Sequence, residues 1–295
     1  MNKKNQLVSV IIPTYGGSNS LKNAIDSVLE QSYENIEIIV VDDNQSNSQA
    51  RKNTETIMRP YLKNNRVKYI KHSVNKNGSA ARNTGFQYSK GKYVAFLDDD
   101  DICLKNKIEL QIKALEKTDN NFCSCFYYKN GKKEKFKIKK DYTKDILMMN
   151  KTPQTSSFVL TRSLYEELNG FDETYERHQD YEFLIRVCRI AKIIVVNNYL
   201  YIRKGNVIEN RPKASKMEYI KDKLIADFKQ DIVNKKLNIK KIKAKNYSYI
   251  AMLYIKEKNC KKALSLFKRY GNIKFIYYLL SLIINNLIKK IRTIY

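Results

Sequence analysis

A chain of 295 residues with 43 % apolar residues can bury one large core or two smaller ones, which excludes a disordered or fibrous polymer. The formal charge of +26 needs a partner or a reason, and it is unevenly spread: residues 232–295 carry sixteen Lys or Arg against the single acid Glu257. Five cysteines without paired metal-ligand spacing read as reduced packing residues, and no apolar run reaches the ~20 residues of a membrane span, so a cytoplasmic protein without signal peptide is expected.

In chain order, residues 7–12 form a continuous apolar, β-branched run, the pattern of a strand covered on both faces. Pro13-Thr14-Tyr15-Gly16-Gly17 reads as a loop, and Asn19 or Ser20 caps a helix whose Leu21, Ala24, Ile25, Val28 and Leu29 recur at helical spacing. A second strand at 36–41 ends in Asp42-Asp43-Asn44; a helix at 49–62, a strand at 67–70 and a helix at 79–89 follow. After Gly91 an apolar run ends in Asp98-Asp99-Asp100-Asp101. Strand and helix alternating in this way predict a parallel α/β sheet, whose sites lie beyond the carboxyl ends of the strands. Residues 13–15, 42–43 and 98–101 then converge on one edge.

Four adjacent carboxylates suit either a divalent cation carrying a phosphate ligand or a solvated acidic turn that opens a helix near Leu104. The first turn lacks Gly-x-Gly-x-x-Gly and the chain has no P-loop, which disfavours a dinucleotide fold or a P-loop enzyme. A phosphoryl-accepting receiver domain would want its acid pair after the first strand, where Pro13-Thr14 stands.

Lysine-rich residues 129–140 read as a solvated hairpin or loop. A strand at 156–160 and a short helix at 164–168 lead to Asn169-Gly170-Phe171-Asp172. Tyr181, Leu184, Ile185 and Cys188 share a helical face that puts Asp180 at the helix N-terminus, where an N-cap carboxylate is the structural alternative to a functional one. Residues 193–196 and 199–203 read as two further strands. Past Glu209, Tyr247, Ile250, Ala251 and Tyr254, then Asn259, then Ala263, Leu264 and Phe267 mark an antiparallel helix pair. The apolar stretch 275–288 closes the chain. Two domains are expected, 1–208 and a basic helical extension 209–295.

The strand-end residues, taken together, resemble family 2 glycosyltransferases of the GT-A fold over roughly residues 8–203. The resemblance rests on Val10-Ile11-Ile12-Pro13-Thr14-Tyr15, Val40-Val41-Asp42-Asp43-Asn44, Ala80-Ala81-Arg82-Asn83-Thr84-Gly85, Phe96-Leu97-Asp98-Asp99-Asp100-Asp101, and Asn169-Gly170-Phe171-Asp172 before Gln179-Asp180. It implies an inverting transferase that moves a sugar from a nucleotide diphosphate, usually UDP-linked, onto a hydroxyl. It implies that Pro13, Thr14, Tyr15 and Asp43 hold the nucleoside with Asp42, Arg82 and Asp99 nearby, that Asp98 and Asp100 hold Mn2+ or Mg2+ with Asp100 the direct ligand, and that Asp180 is the general base. The chain departs from the family pattern at Gln179, where Glu is usual, and at Gly205, where relatives often carry His.

A diphosphate leaving group and an attacking hydroxyl need a metal-neutralised side and a base on the opposite side, and one carboxylate suffices for single displacement. The rival readings are a nucleotidyltransferase and, for the basic C-terminal half, a nucleic-acid binder. Its aromatics fall in apolar helical stripes, so no nucleic-acid partner is expected. The expected partners are a nucleotide-sugar, a glycan or lipid-linked acceptor in surface polysaccharide or capsule assembly, and the anionic inner face of the cell membrane, where the protein would sit peripherally.

Overall fold

The computed structural model describes residues 6–118, 120–204 and 212–294, with side chains in the last helix described to residue 284. The chain divides into two compact units, Met1–Tyr142 with Lys151–Asn206, and Thr143–Asn150 with Val207–Tyr295. The segment 143–150, which the sequence reading leaves with the sheet, thus joins the C-terminal helices.

The first unit begins with β1 (Val8–Thr14), α1 (Ser20–Leu29), β2 (Ile36–Asp42), α2 (Gln49–Met58), β3 (Val67–Lys71), α3 (Gly78–Gln87), β4 (Tyr93–Phe96), β5 (Asp101–Cys103), α4 (Lys107–Thr118), β6 (Phe122–Lys129) and β7 (Lys132–Glu134). After α5 (Thr143–Leu147), which belongs to the second unit, it continues through β8 (Val159–Thr161), α6 (Arg162–Glu167), α7 (Gln179–Ile190) and β9 (Ile193–Arg203). Among the described residues nine strands form one sheet, ordered β3-β2-β1-β4-β8-β6-β9-β5, with β7 paired to β6. Strands β3, β2, β1 and β4 are mutually parallel, as the βα alternation requires; β8 enters antiparallel to β4 and β5 antiparallel to β9. The result is a mixed sheet flanked by helices, with its parallel half at the N-terminal end of the chain.

Every residue of β2 is buried. One face, with Ile38 and Val40, joins Val10 and Ile12 of β1 and the apolar stripe of α1; the other, with Ile39 and Val41, meets Ala81 of α3. Gly85 lets α3 come this close, since a Cβ there would stand 2.4 Å from Ile11 Cγ2.

Three local expectations are corrected. Strand β1 runs on through Pro13 and Thr14, which pair with Val41 and Asp42. The missing proline N–H faces the β4 side, where pairing ends at Ile11 with Phe96, so no ladder bond is lost. The acidic run does not open a helix directly, because Asp101 begins the short strand β5. Residues 193–203 are one strand, whose register against β6 slips beside Asn197 and Asn198, so that Val196 pairs with Cys125 and Tyr199 with Phe126. Cys103, Cys123 and Cys125 are free and buried, and burial pushes the Cys123 thiol up to about 12, which suits packing residues.

The second unit contains α5, α8 (Ala214–Asp227), α9 (Lys229–Asn234), α10 (Ile239–Lys256), α11 (Cys260–Tyr270) and α12 (Ile273–Ile294). Helix α10 is its centre, packed on α8, α11 and α12 and burying Ala244, Ile250 and Ala251. Asn259 caps α11 by accepting from the Lys262 N–H at 3.1 Å, and Tyr247 of α10 stacks on Tyr270 at 3.8 Å between centroids. Among the described residues no helix is long and apolar enough to cross a membrane.

Candidate active site

The carboxyl ends of β1, β2 and β4 bring the sequence motifs to one edge, and hydrogen bonds lock them there. Asn77, at φ 82°, caps α3 with its side-chain oxygen on the N–H groups of Ser79 and Ala80. Two residues of α3 then reach in different directions. Asn83 clamps the Asn169–Phe171 turn: its Nδ2 donates to the Phe171 carbonyl at 2.9 Å while its Oδ1 accepts from the Phe171 N–H and the Tyr165 hydroxyl. Gly170 sits at φ +68°, and a Cβ there would meet Asn83 Oδ1 at 2.5 Å, which explains why the turn is Asn-Gly.

Arg82 makes the other connection. Its Nη2 donates to Asp98 Oδ1 at 2.7 Å and its Nη1 to Gln179 Oε1 at 2.8 Å, with the guanidinium over the Phe171 ring. One side chain thereby joins the acidic strand end to the start of α7. That helix is held from behind, because Phe183 stacks on Phe171 at 4.2 Å and Arg186 donates to the carbonyls of Leu168 and Gly170 while pairing with Glu182. Asp180, in the first turn of α7, faces the same cleft of about 310 Å³ as Arg82, Asp98, Asp101, Gln154 and Arg203. Gln179, the departure from the family pattern, is therefore a neutral acceptor for Arg82, leaving Asp98 as the only carboxylate in hydrogen-bond contact with that guanidinium among the described residues.

The four strand-end acids are chemically unlike. Asp98 keeps 42 % of its side chain exposed and has one oxygen on Arg82. Asp99 turns to Thr14, accepting from its hydroxyl at 2.6 Å, and burial, joined by repulsion from Asp100 and Asp98, pushes it up to about 7. Asp100 is raised by burial and by Asp98. Asp101 is buried beneath, accepting from Ser156 Oγ at 2.6 Å and the Lys204 N–H at 3.1 Å, and burial raises it as well. Asp180 is pushed up to about 6, first by burial and then by Asp98, with Arg82 and Arg203 opposing. Burial is the first cause of each of these shifts and repulsion between neighbouring carboxylates a further one, so a cation placed at the edge would favour their ionised forms.

A divalent cation fits that role. Among the described residues no group of three or more His, Cys, Asp or Glu is arranged to hold a metal, so the protein would offer the pair Asp98 and Asp100. Oxygen donors of this kind suit Mg2+ or Mn2+ completed by substrate phosphates and water, and the Asp98 side chain keeps 42 % of its surface exposed with one oxygen on Arg82.

Asp42, expected beside the nucleoside, is fully buried, and both of its carboxylate oxygens are engaged by neighbouring side chains. Oδ2 pairs ionically with Arg51, whose Nε stands at 3.0 Å, and accepts from the Tyr69 hydroxyl at 2.5 Å, while Oδ1 accepts from the backbone and side-chain N–H groups of Asn44. Its work is to position the β2 turn. Asp43 ties down the loop before α3, pairing with His72 and accepting from Asn75 and the N–H groups of Lys76 and Asn77. Tyr15, just past β1, is 65 % exposed. Gly205 lies outside the described residues. Sequence reasoning missed Asp101 as a structural acid, and it missed Gln154 and Arg203; the pairing of β5 with β9 sets Asp101 opposite Arg203, and Arg203 Nη1 donates to Gln154 Oε1 at 3.3 Å in the same cleft.

The model of Glycosyl transferase family 2 matches residues 9–199. An uncharacterized glycosyltransferase of Rickettsia bellii is 34 % identical over 68 % of this chain, and the Escherichia coli protein named UDP-Glc:alpha-D-GlcNAc-diphosphoundecaprenol beta-1,3-glucosyltransferase WfgD is 29 % identical over 73 % of this chain and 83 % of its own. The chain spans between 31 % and 62 % of the length of three rickettsial relatives. Among solved structures, S. aureus TarS in complex with UDP-GlcNAc superposes with a TM-score of 0.59 over 90 % of this chain and 91 % of that one at 16 % identity. The mannosyltransferase PcManGT of Pyrobaculum calidifontis, in complex with GDP-Man and Mn2+, gives 0.59 over 99 % and 83 % at 16 % identity. With its sheet order, its motifs at one edge and the family match over most of the first unit, the chain belongs to glycosyl transferase family 2 and has the GT-A fold.

Proposed function

We propose that this glycosyltransferase takes its sugar from a UDP-linked donor and places it, with inversion, on a hydroxyl of a glycan or lipid-linked acceptor in surface polysaccharide assembly, at the inner face of the cell membrane. The observation that carries the reading is the Arg82 bridge, which fixes the acid of the donor side, Asp98, relative to the helix that carries Asp180. Pro13, Thr14 and Tyr15 at the end of β1 receive the nucleoside, the exposed Tyr15 ring offering a face to the base and Asp43 supporting the loop beside it. Asp98 and Asp100 would hold Mn2+ or Mg2+, which when bound neutralises the charge developing on the diphosphate. Arg82 and Arg203 add fixed positive charge at the same edge.

Asp180 accepts the proton of the acceptor hydroxyl while its oxygen forms the new bond to the anomeric carbon. The bond from that carbon to the diphosphate breaks on the opposite face, its electron pair leaving with the nucleotide, so the centre inverts. The UDP and lipid-linked assignments are supported by the activity for which WfgD is named, and a polysaccharide role by the name of the Erwinia amylovora relative, amylovoran biosynthesis glycosyltransferase AmsB. A donor screen scoring release of UDP, GDP or CMP, with Mn2+ and with chelator, tests the reading. Metal-dependent UDP release is expected; release of GDP or CMP alone, or of pyrophosphate, overturns it.

A further inference from the structure

Helix α12 is apolar on two opposite sides. Phe275 is buried, and Tyr278, Leu279 and Leu282 on the same side are partly covered. At 100° per residue, Ile273, Ile276, Tyr277, Leu280, Ile283 and Ile284 fall on the other side, and all six are exposed, Ile273 at 87 % and Tyr277 at 67 %. This stripe adjoins an apolar groove of about 510 Å³ lined by Ile255, Leu264, Phe267, Phe275 and Leu279, since Leu279 stands three and four residues from Ile276 and Ile283. Nine of the seventeen exposed large apolar side chains among the described residues lie between Ile255 and Ile284. The same stretch is basic: Lys256, Lys258, Lys261, Lys262, Lys268, Arg269 and Lys274 are exposed, with Glu257 the only acid.

A contiguous apolar strip of this kind marks an interaction surface. Its rim decides the occupant. A second copy of the same surface would bring like charges together, whereas an anionic bilayer offers hydrocarbon for the stripe and negative headgroups for the lysines. We infer that the outer stripe of α12 and the groove beside α11 form a docking surface for an anionic membrane, with α12 lying in the interface. No described helix is long and apolar enough to cross it. The inference concerns the second unit alone and holds whichever donor the first unit takes.

Flotation of the full chain tests it, using vesicles of phosphatidylcholine alone and vesicles with about one third phosphatidylglycerol. The protein is expected to float with the anionic vesicles at low salt, about tenfold less with neutral ones, and less as salt rises. Ile276→Glu with Leu280→Glu should abolish flotation, and Lys261→Glu with Lys268→Glu should remove the preference for anionic lipid. Both double variants should keep wild-type thermal melts and UDP release, because these side chains are exposed and lie outside the cleft. Equal binding to both vesicles, no binding to either, or full retention of the Ile276→Glu and Leu280→Glu variant overturns the inference. So does a concentration-dependent dimer, seen by light scattering, that the same pair of substitutions dissolves, because a second copy would then be the occupant.

Discussion

Replacing Asp180, the proposed base, by Asn separates its proton chemistry from the structure that holds it. The amide is isosteric and keeps its place in the first turn of α7, while Arg82, Gln179 and the Phe183 stack that position the helix are untouched. A positioned general base contributes ~10²–10⁴ in rate, about 3–5 kcal/mol of transition-state stabilisation, and the loss should fall on kcat with donor affinity nearly unchanged. The burial that raises the carboxyl also makes it a better proton acceptor. With titration at about 6 instead of 3.8, its conjugate acid is weaker by about two orders of magnitude, yet the base remains mostly ionised at neutral pH. The ionised form is the active one, so activity is lost as pH falls: roughly nine tenths is ionised near pH 7 and about a tenth near pH 5, a fall of about tenfold in kcat/KM. The assay is UDP release with acceptor present across that pH range, alongside donor binding by titration calorimetry. A flat wild-type profile between about pH 5 and 7 would refute the assignment. So would an Asp180→Asn variant that keeps the limb near 6, or one that loses donor affinity with no loss in the chemical step.

Asp100→Ala should leave the melting transition intact while abolishing transfer, and donor affinity should no longer respond to Mn2+ or to chelator; a variant that still shows metal-dependent donor binding would remove Asp100 from the metal site. Gln179→Glu would put a second carboxylate on Arg82 Nη1 beside Asp180, so the pH limb should move upward by about one unit, read from the same kcat/KM profile. Arg51→Ala strands the buried Asp42 carboxylate and the carbonyls of Asn44 and His72, and should cost about 3–5 kcal/mol in chemical denaturation. Gly85→Ala forces a methyl against Ile11 and should cost about 1–3 kcal/mol, measured the same way.

The alternation of β-branched runs with helical stripes was enough to name a parallel α/β sheet, and with it the edge where residues 13–15, 42–43 and 98–101 meet. Those signals are local: a strand buried on both faces must read as an unbroken apolar run, and motif order survives any detail of packing. What each acid does at the edge was not local. Asp42 and Asp43 are neighbours in sequence, yet one is sealed against Arg51, Asn44 and Tyr69 and the other holds the loop before α3. Asp101 and Asp100 differ likewise because β5 pairs with β9, a strand a hundred residues on. Nor could helical periodicity distinguish the covered side of α12 from its exposed one, since both are apolar and only packing against α10 tells them apart. Composition and periodicity fix which residues want burial or charge. Which oxygen meets which guanidinium is set by chain closure, as in the bond from Arg82 to Gln179 across ninety-seven residues, and only the folded chain decides it.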